Sequence, residues 1–362
     1  MLASLVVLPT RRASHVNEGH AIMTTFATTA PDARHVLVLG GTGFLGTHLV
    51  DALVRAGSHV RVFARSVPRR DGEAPPNEAD VSQKWRNVEV VTGDLGSGEG
   101  LASALDGVDI VYHLISSTLP STSNADPIAD VQSNLVGTLR LLQLMRDAKI
   151  NRIVYVSSGG TVYGNPAMLP VPETHSLKPL CSYGVVKVAV ENYLNMYAEL
   201  YGITANVLRV SNPYGTHQHH IGVQGVIPTF FKKVADGVSI EIWGDGSVVR
   251  DYIHVSDVVS ALLTAGERDQ SGIFNIGSGT GHSVNEVLDV VQRTMGRVAT
   301  VRYLPQRNFD VERIFLDIAR AKTDLNWQPA LSLNAGCALY WQEIHERFEG
   351  GAAADVGAGR TE

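Results

Sequence analysis

The chain has 362 residues, 44% of them apolar and 18% charged, with a formal net charge of −6. This is the composition of a globular protein with a sizeable core, and the acidic balance argues against nucleic acid or an anionic membrane as partner. The two cysteines, Cys181 and Cys337, fit no metal or disulfide spacing, which points to a reducing, cytoplasmic setting.

Residues 1–33 are polar and Thr/Ala-rich and read as a disordered or mis-annotated extension, with Met23 as an alternative start. Leu2 to Leu8 is apolar but short, and no Lys or Arg precedes it, unlike a secretory signal. No apolar run approaches the roughly 18 residues a spanning helix needs.

His35 to Leu39 is an apolar run that predicts a buried strand. It enters Gly40-Gly41-Thr42-Gly43-Phe44-Leu45-Gly46, after which Phe44, Leu45, Leu49, Leu53 and Val54 recur at helical spacing. Strand, glycines and helix form a dinucleotide fingerprint. Gly40 and Gly43 let backbone amides approach a pyrophosphate at the helix start, and Gly46 lets helix and strand pack closely.

A second strand, Val60 to Phe63, ends at Ala64-Arg65. An acid at this point would hold the ribose hydroxyls of NAD. Ala64 stands there instead, and Arg65 could accept a 2′-phosphate, so both NAD and NADP stay open. Strands follow at Val88–Val91, Asp109–Leu114 and Asn151–Val156, and the pattern predicts a helix from Val131 to Ala148. Strands alternating with helices mean a parallel sheet, whose ligands sit at the carboxyl ends of the strands. The glycine turn and Ser157 to Thr161 share that edge.

Ser182-Tyr183-Gly184-Val185-Val186-Lys187 opens the next helix. Positions i and i+4 share a face, so the Tyr183 phenol and Lys187 ammonium lie side by side. A nearby cation favours the phenolate, making Tyr183 a general base for near-neutral pH.

With these residues in hand, the chain resembles the extended short-chain dehydrogenase/reductases, and within them the nucleotide-sugar 4-epimerases. The resemblance spans about 34–348. It rests on the glycine turn, Asp94-Leu95, Asn134 with Gly137-Thr138, Ser157 to Gly164, and Tyr183 with Lys187. It continues through Arg209 to Gly215, Gly244-Asp245-Gly246, Arg250 to Val255, Asn275-Ile276-Gly277 and Arg307 to Asp310. It implies a Rossmann-type doubly wound parallel sheet over 34–212, with a return around 250–276. A smaller C-terminal substrate-binding lobe over 213–348 and a disordered tail over 349–362 complete the expected organisation.

The resemblance also implies roles. Gly40, Gly43, Phe44, Leu45, Gly46, Arg65, Asp94, Leu95 and Ser157 would hold NAD, together with Tyr183 and Lys187. Asn212, Arg250, Arg307, Asp310 and the pocket-gating Ile314 would hold a UDP-sugar. Helices near 131–148 and 181–201 would form a homodimer surface. Related dehydratases and decarboxylases carry a carboxylate just after Ser158; Gly159-Gly160-Thr161 has none, which favours epimerisation over those activities, while a mere dinucleotide sensor would not need Tyr183, Lys187 and the arginines together. The family's usual serine falls at Gly159, so Thr161, two residues on and on the same strand face, is the expected hydroxyl partner of Tyr183, with Ser158 facing away. His217, His219 and His220 cluster, but the resemblance implies no metal.

Overall fold

The computed structural model describes residues 34–66, 88–218, 225–305 and 311–356, with side chains as far as 345. The expected extension 1–33 lies outside the described residues.

Seven parallel strands form the central sheet: β1 (His35–Leu39), β2 (His59–Ala64), β3 (Val88–Thr92), β4 (Ile110–His113), β5 (Arg152–Ser158), β6 (Thr204–Val210) and β10 (Gly272–Ile276). Their spatial order is β10-β6-β5-β4-β1-β2-β3. The chain therefore winds outward from β1 to β3, then crosses back to β4. The reversal opens a crevice between the carboxyl ends of β1 and β4, where Leu39 stands in register with His113. This is the doubly wound sheet expected from the sequence.

Both faces of the sheet are covered, which is why its strands read as unbroken apolar runs. Val36 and Val38 face one core with Leu49, Val50 and Leu53 of α1 (Phe44–Arg55). Leu37 and Leu39 face the opposite core with Leu141, Leu142 and Met145. Burying each such side chain contributes about 1.5–3 kcal/mol.

Between β3 and β4 lies the short α2 (Leu101–Ala104). The helix expected over 131–148 is interrupted: α3 (Pro127–Asp130) passes into a π-helical turn, Val131–Val136, and then into α4 (Gly137–Asp147). Gly137 lies so close to Leu95 that a Cβ there would stand 2.6 Å from the Leu95 carbonyl oxygen. Helix α5 (Ser182–Tyr201) carries the Tyr183–Lys187 pair along the same face of the sheet.

Past β6, β7 (Asn212–Tyr214) pairs with β9 (Val249–His254), which also pairs with β11 (Gly281–Ser283) and β13 (Arg313–Ile314). A two-stranded sheet joins β8 (Ile240–Trp243) to β12 (Val301–Leu304). Around them α6 (Val226–Ala235), α8 (Val284–Met295) and α10 (Leu333–Val356) build a third core on Phe231, Val287 and Tyr340. The chain returns to the large sheet through α7 (Val255–Glu267), which packs on α1, and through β10. Helix α9 (Ala319–Asp324) precedes α10, which continues to Val356, past the Glu349 at which the sequence suggested disorder. Among the described residues no helix is long and apolar enough to cross a membrane.

Candidate active site

The glycine turn is shaped for close approach. Gly40 has φ +81°, a left-handed conformation, and a Cβ on Gly46 would fall 2.1 Å from the Gly40 carbonyl oxygen. Gly43 caps α1 without a side-chain hydrogen bond, so the first amides of α1 have no side chain competing for them. A cleft of about 330 Å³ runs from this turn along the ends of β2, β3 and β4, lined by Gly40, Gly43, Ala64, Arg65, Asp94 and Leu95 on one side and Ser116, Ser117 and Ser133 on the other. Glycines that a Cβ would fill, an uncapped helix start and a cleft at the switch point fit a dinucleotide. A wider open cleft of about 620 Å³ lies between α8 and 329–334, away from these residues.

Within the cleft Arg65 is exposed, and Asp94 accepts the Ser97 amide at 2.8 Å, shaping its own turn. Phe44 and Leu45 are half-buried against the core beside β1, so what they present at the helix start is backbone.

Ser157 departs from expectation. Its side chain is 1% exposed and turns away from the cleft to donate to Glu191 at 2.5 Å. Glu191 in turn pairs with Arg209 at 2.6 Å, both 3% exposed. Strand alternation is the reason: residues 153, 155 and 157 face α5. The Glu191–Arg209 pair was missed because its members are distant in sequence. Its signal was a charge at apolar positions, Arg209 in Val207-Leu208-Arg209-Val210 and Glu191 beside Val190.

Tyr183 and Lys187 are brought together as expected, the Lys187 Nζ standing 5.4 Å from the Tyr183 ring centre. Nζ also donates to the Val156 carbonyl at 2.8 Å and lies 4.7 Å from the Tyr155 ring centre. Burial lowers the Lys187 pKa to about 8, opposed by Glu191 and Asp130. Burial likewise pushes Tyr183 up to about 12, opposed by hydrogen bonding from the Ser158 and Ser116 hydroxyls. Desolvation is the largest influence on the phenol here, and the hydroxyls oppose it.

The expected hydroxyl partner, Thr161, lies beyond the strand on which its placement was argued. β5 ends at Ser158, and the chain then turns, the Thr161 and Val162 amides donating back to the Ser158 carbonyl. Strand alternation does not extend to Thr161, whose hydroxyl is buried with no partner among the described residues. Ser158, expected to face away, bears on the phenol, as does Ser116 from the end of β4. Gly159 cannot easily hold the missing serine, since a Cβ there would lie 2.6 Å from Leu316 Cδ1 and 3.0 Å from the Arg209 carbonyl oxygen.

His113, at the end of β4, is buried, with Nε2 2.8 Å from Thr138 Oγ1. Burial, then the Lys187 charge, lowers its pKa to about 3.

On the substrate side, Asn212 donates to the Asp251 carbonyl at 3.0 Å and faces the Gly160 turn, where a Cβ would stand 4.0 Å from its Oδ1. Arg250 is half-buried on β9, and β13 sets Ile314 in register with it. Ile314 itself is 2% exposed within a cluster of Val162, Tyr163, Val171, Leu316 and Ile318, so it is a packed residue rather than an open gate. The Asp251 carboxylate accepts from Ser211, from Ser278 and from the Gly279 and Leu316 amides, tying these strands together. Arg307 and Asp310 lie outside the described residues, as do His219 and His220. His217 packs edge-on to His48 at 5.4 Å.

Known proteins resemble the chain in sequence and fold. The family model described as NAD dependent epimerase/dehydratase matches residues 36–277. A UDP-glucose 4-epimerase of Mycolicibacterium smegmatis is 34% identical over 83% of this chain and 96% of its own length. The structure of UDP-glucose 4-epimerase from Thermotoga maritima, with UDP-glucose, superposes with a TM-score of 0.79 at 32% identity, covering 87% of this chain and 99% of that one. A UDP-N-acetylglucosamine 4-epimerase from Methanobrevibacter ruminantium, in complex with UDP-N-acetylmuramic acid, gives 0.77 at 26% identity, covering 87% and 99%. The chain belongs to the NAD-dependent epimerase/dehydratase family.

Proposed function

We propose that the protein interconverts UDP-glucose and UDP-galactose by inverting C4. The observation that carries this reading is the Tyr183–Lys187 pair opening onto the Ser158 end of β5, beside a dinucleotide cleft. NAD, when bound there, supplies the hydride acceptor and donor for C4. Tyr183, as phenolate, takes the proton of the 4-hydroxyl as C4 becomes a ketone. Ser158 and Ser116 donate hydrogen bonds to that phenolate, and the Lys187 ammonium stabilises its charge. After the sugar presents its other face, Tyr183 returns the proton to the C4 oxygen.

Asn212 sits where the sugar meets the Gly160 turn. Arg250 binds the diphosphate with Arg307, a task suited to guanidinium forks, and Asp310 accepts from the uridine ribose. NAD ranks ahead of NADP, in keeping with the family, although Ala64 leaves room for a 2′-phosphate and Arg65 could bind it. Residues 34–212 with the return through β10 serve the cofactor, and 213–348 mainly the substrate. Exposed Ile128, Val185, Met196 and Leu200 on α3 and α5 support a homodimer on that face. Two free cysteines agree with a cytoplasmic setting.

The relative from Methanobrevibacter ruminantium makes N-acetylated UDP-hexoses a second substrate class. Chromatography of the nucleotide sugars formed from UDP-galactose and from UDP-N-acetylglucosamine tests both. Formation of the C4 epimer supports the reading; an unchanged substrate, or a dehydrated product, overturns it.

A further inference from the structure

Helix α5 lacks a cap of its own, since Cys181 at its start makes no side-chain hydrogen bond. The amides left over are met by another segment. Ser182 N donates to Asn124 Oδ1 at 2.8 Å, and Tyr183 N to Ser123 Oγ at 3.1 Å. Ser123, which opens a single 3₁₀ turn (Ser123–Ala125), is 1% exposed. Beside them the Ser182 hydroxyl donates to Asp130 Oδ2 at 2.7 Å.

Asp130 is fully buried. Its other oxygen accepts from Thr118 Oγ1 and from Asn134 Nδ2, each at 2.8 Å. Asn134 Oδ1 in turn accepts the Ser117 amide at 2.9 Å. Asn134 reaches this loop from the π-helical turn that begins directly after Asp130, a local distortion often found at functional sites. One buried carboxylate thus joins the wall of the dinucleotide cleft to the first turn of the helix bearing Tyr183. A buried charge is tolerated only where donors saturate it, and here the donors come from the loop, the π-helical turn and α5.

We propose that Asp130, Ser123 and Asn124 are positioning residues, which cap α5 from outside and hold the Tyr183 phenol at the reacting hydroxyl. The inference rests on the proposed role of Tyr183 as base. Misplacing a reacting group by about 1 Å can lower a rate on the order of 10²-fold, so a clamp on the residue itself acts on kcat rather than on binding.

The test uses the full chain with Ser123→Ala and Asn124→Ala combined, Ser123→Thr as the conservative variant, and Asp130→Asn. Amide hydrogen exchange at Ser182 and Tyr183 is read without substrate; kcat and KM are read with UDP-galactose. In the double variant, exchange at both amides rises on the order of fivefold, the size of a lost helix cap. kcat falls on the order of tenfold with KM within about twofold. Ser123→Thr keeps the hydroxyl and stays near wild type. Asp130→Asn follows the double variant; if it does not fold, the double variant decides. Unchanged exchange overturns the clamp, and wild-type kcat with fast amides overturns its positioning role. If the wild-type protein does not epimerise yet the exchange responds, the reaction assigned above fails and the cap stands.

Discussion

Leu316 Cδ1 occupies the place where a side chain on Gly159 would begin, 2.6 Å from the would-be Cβ. Leu316 is 1% exposed and packed with Val162, Val171 and Ile314, so the space is filled rather than merely empty of serine. Gly159→Ser therefore overpacks the site and should destabilise the protein by about 1–3 kcal/mol. Leu316→Ala should relieve much of that in the double variant. Thermal melts of the four proteins in this cycle check it, and additive effects of the two changes would contradict the contact.

The hydroxyls bearing on Tyr183 are those of Ser158 and Ser116. Ser158→Ala should lower kcat on the order of 10²-fold, and Tyr183→Phe by about 10²–10⁴. Thr161→Val should keep most activity, because β5 ends at Ser158 and the turn that follows takes Thr161 off the strand face. Steady-state kinetics with UDP-galactose decides, and the reverse ranking of Ser158→Ala and Thr161→Val would restore Thr161 as the partner.

Lys187 titrates near 8 rather than 10.5, because burial disfavours its charge. The ammonium that steadies the Tyr183 phenolate is present below about pH 8 and lost above it, while the phenolate grows with pH up to about 12, so kcat/KM should rise with pH to about 8 and level off there. The same depression has a thermodynamic sign. Between pH 8 and 10.5 the unfolded chain holds a proton that the folded one has released, so this group makes stability rise with pH there. Charged Lys187 accordingly opposes folding at pH 7, and Lys187→Met should be inactive yet melt no lower than wild type. A clear fall in its melting temperature would show that the contacts with Val156 and Tyr155 outweigh desolvation.

His113 gives the acid counterpart. Its pKa is lowered from 6.5 to about 3, so between those values the unfolded chain binds a proton that the folded chain refuses. Stability should fall with decreasing pH across that window, by up to about 1.4 kcal/mol per pH unit from this one group. His113→Gln removes the dependence. Denaturant titrations of both proteins at pH 4, 5, 6 and 7 should show curves that converge toward acid; parallel curves would mean that His113 is protonated in the fold.

The glycine turn and the Tyr183–Lys187 pair were legible because each is a local spacing that its own helix or turn converts directly into geometry. So were the buried strands of the parallel sheet, whose two covered faces leave unbroken apolar runs. The position of Thr161 relative to the strand end was not legible. Assigning it required knowing that β5 stops at Ser158, and strand alternation does not report where a strand ends. Ser157 was misread for the complementary reason: alternation turns it toward Glu191 and Arg209, and nothing local announces that buried ion pair. Leu316 behind Gly159, and Ser123 and Asn124 over α5, are contacts between segments far apart in the chain that only the folded structure brings together.

The hydrogen on C4 reports whether inversion runs through hydride transfer within one site. UDP-glucose carrying deuterium at C4 is incubated with the purified protein in ordinary water, and the nucleotide sugars are separated and weighed by mass spectrometry. UDP-galactose should keep the deuterium at C4, because Tyr183 exchanges only the hydroxyl proton while the carbon-bound hydrogen is removed and returned within one site. Loss of the deuterium to water, or a deuterated substrate recovered without any C4 epimer, would contradict it.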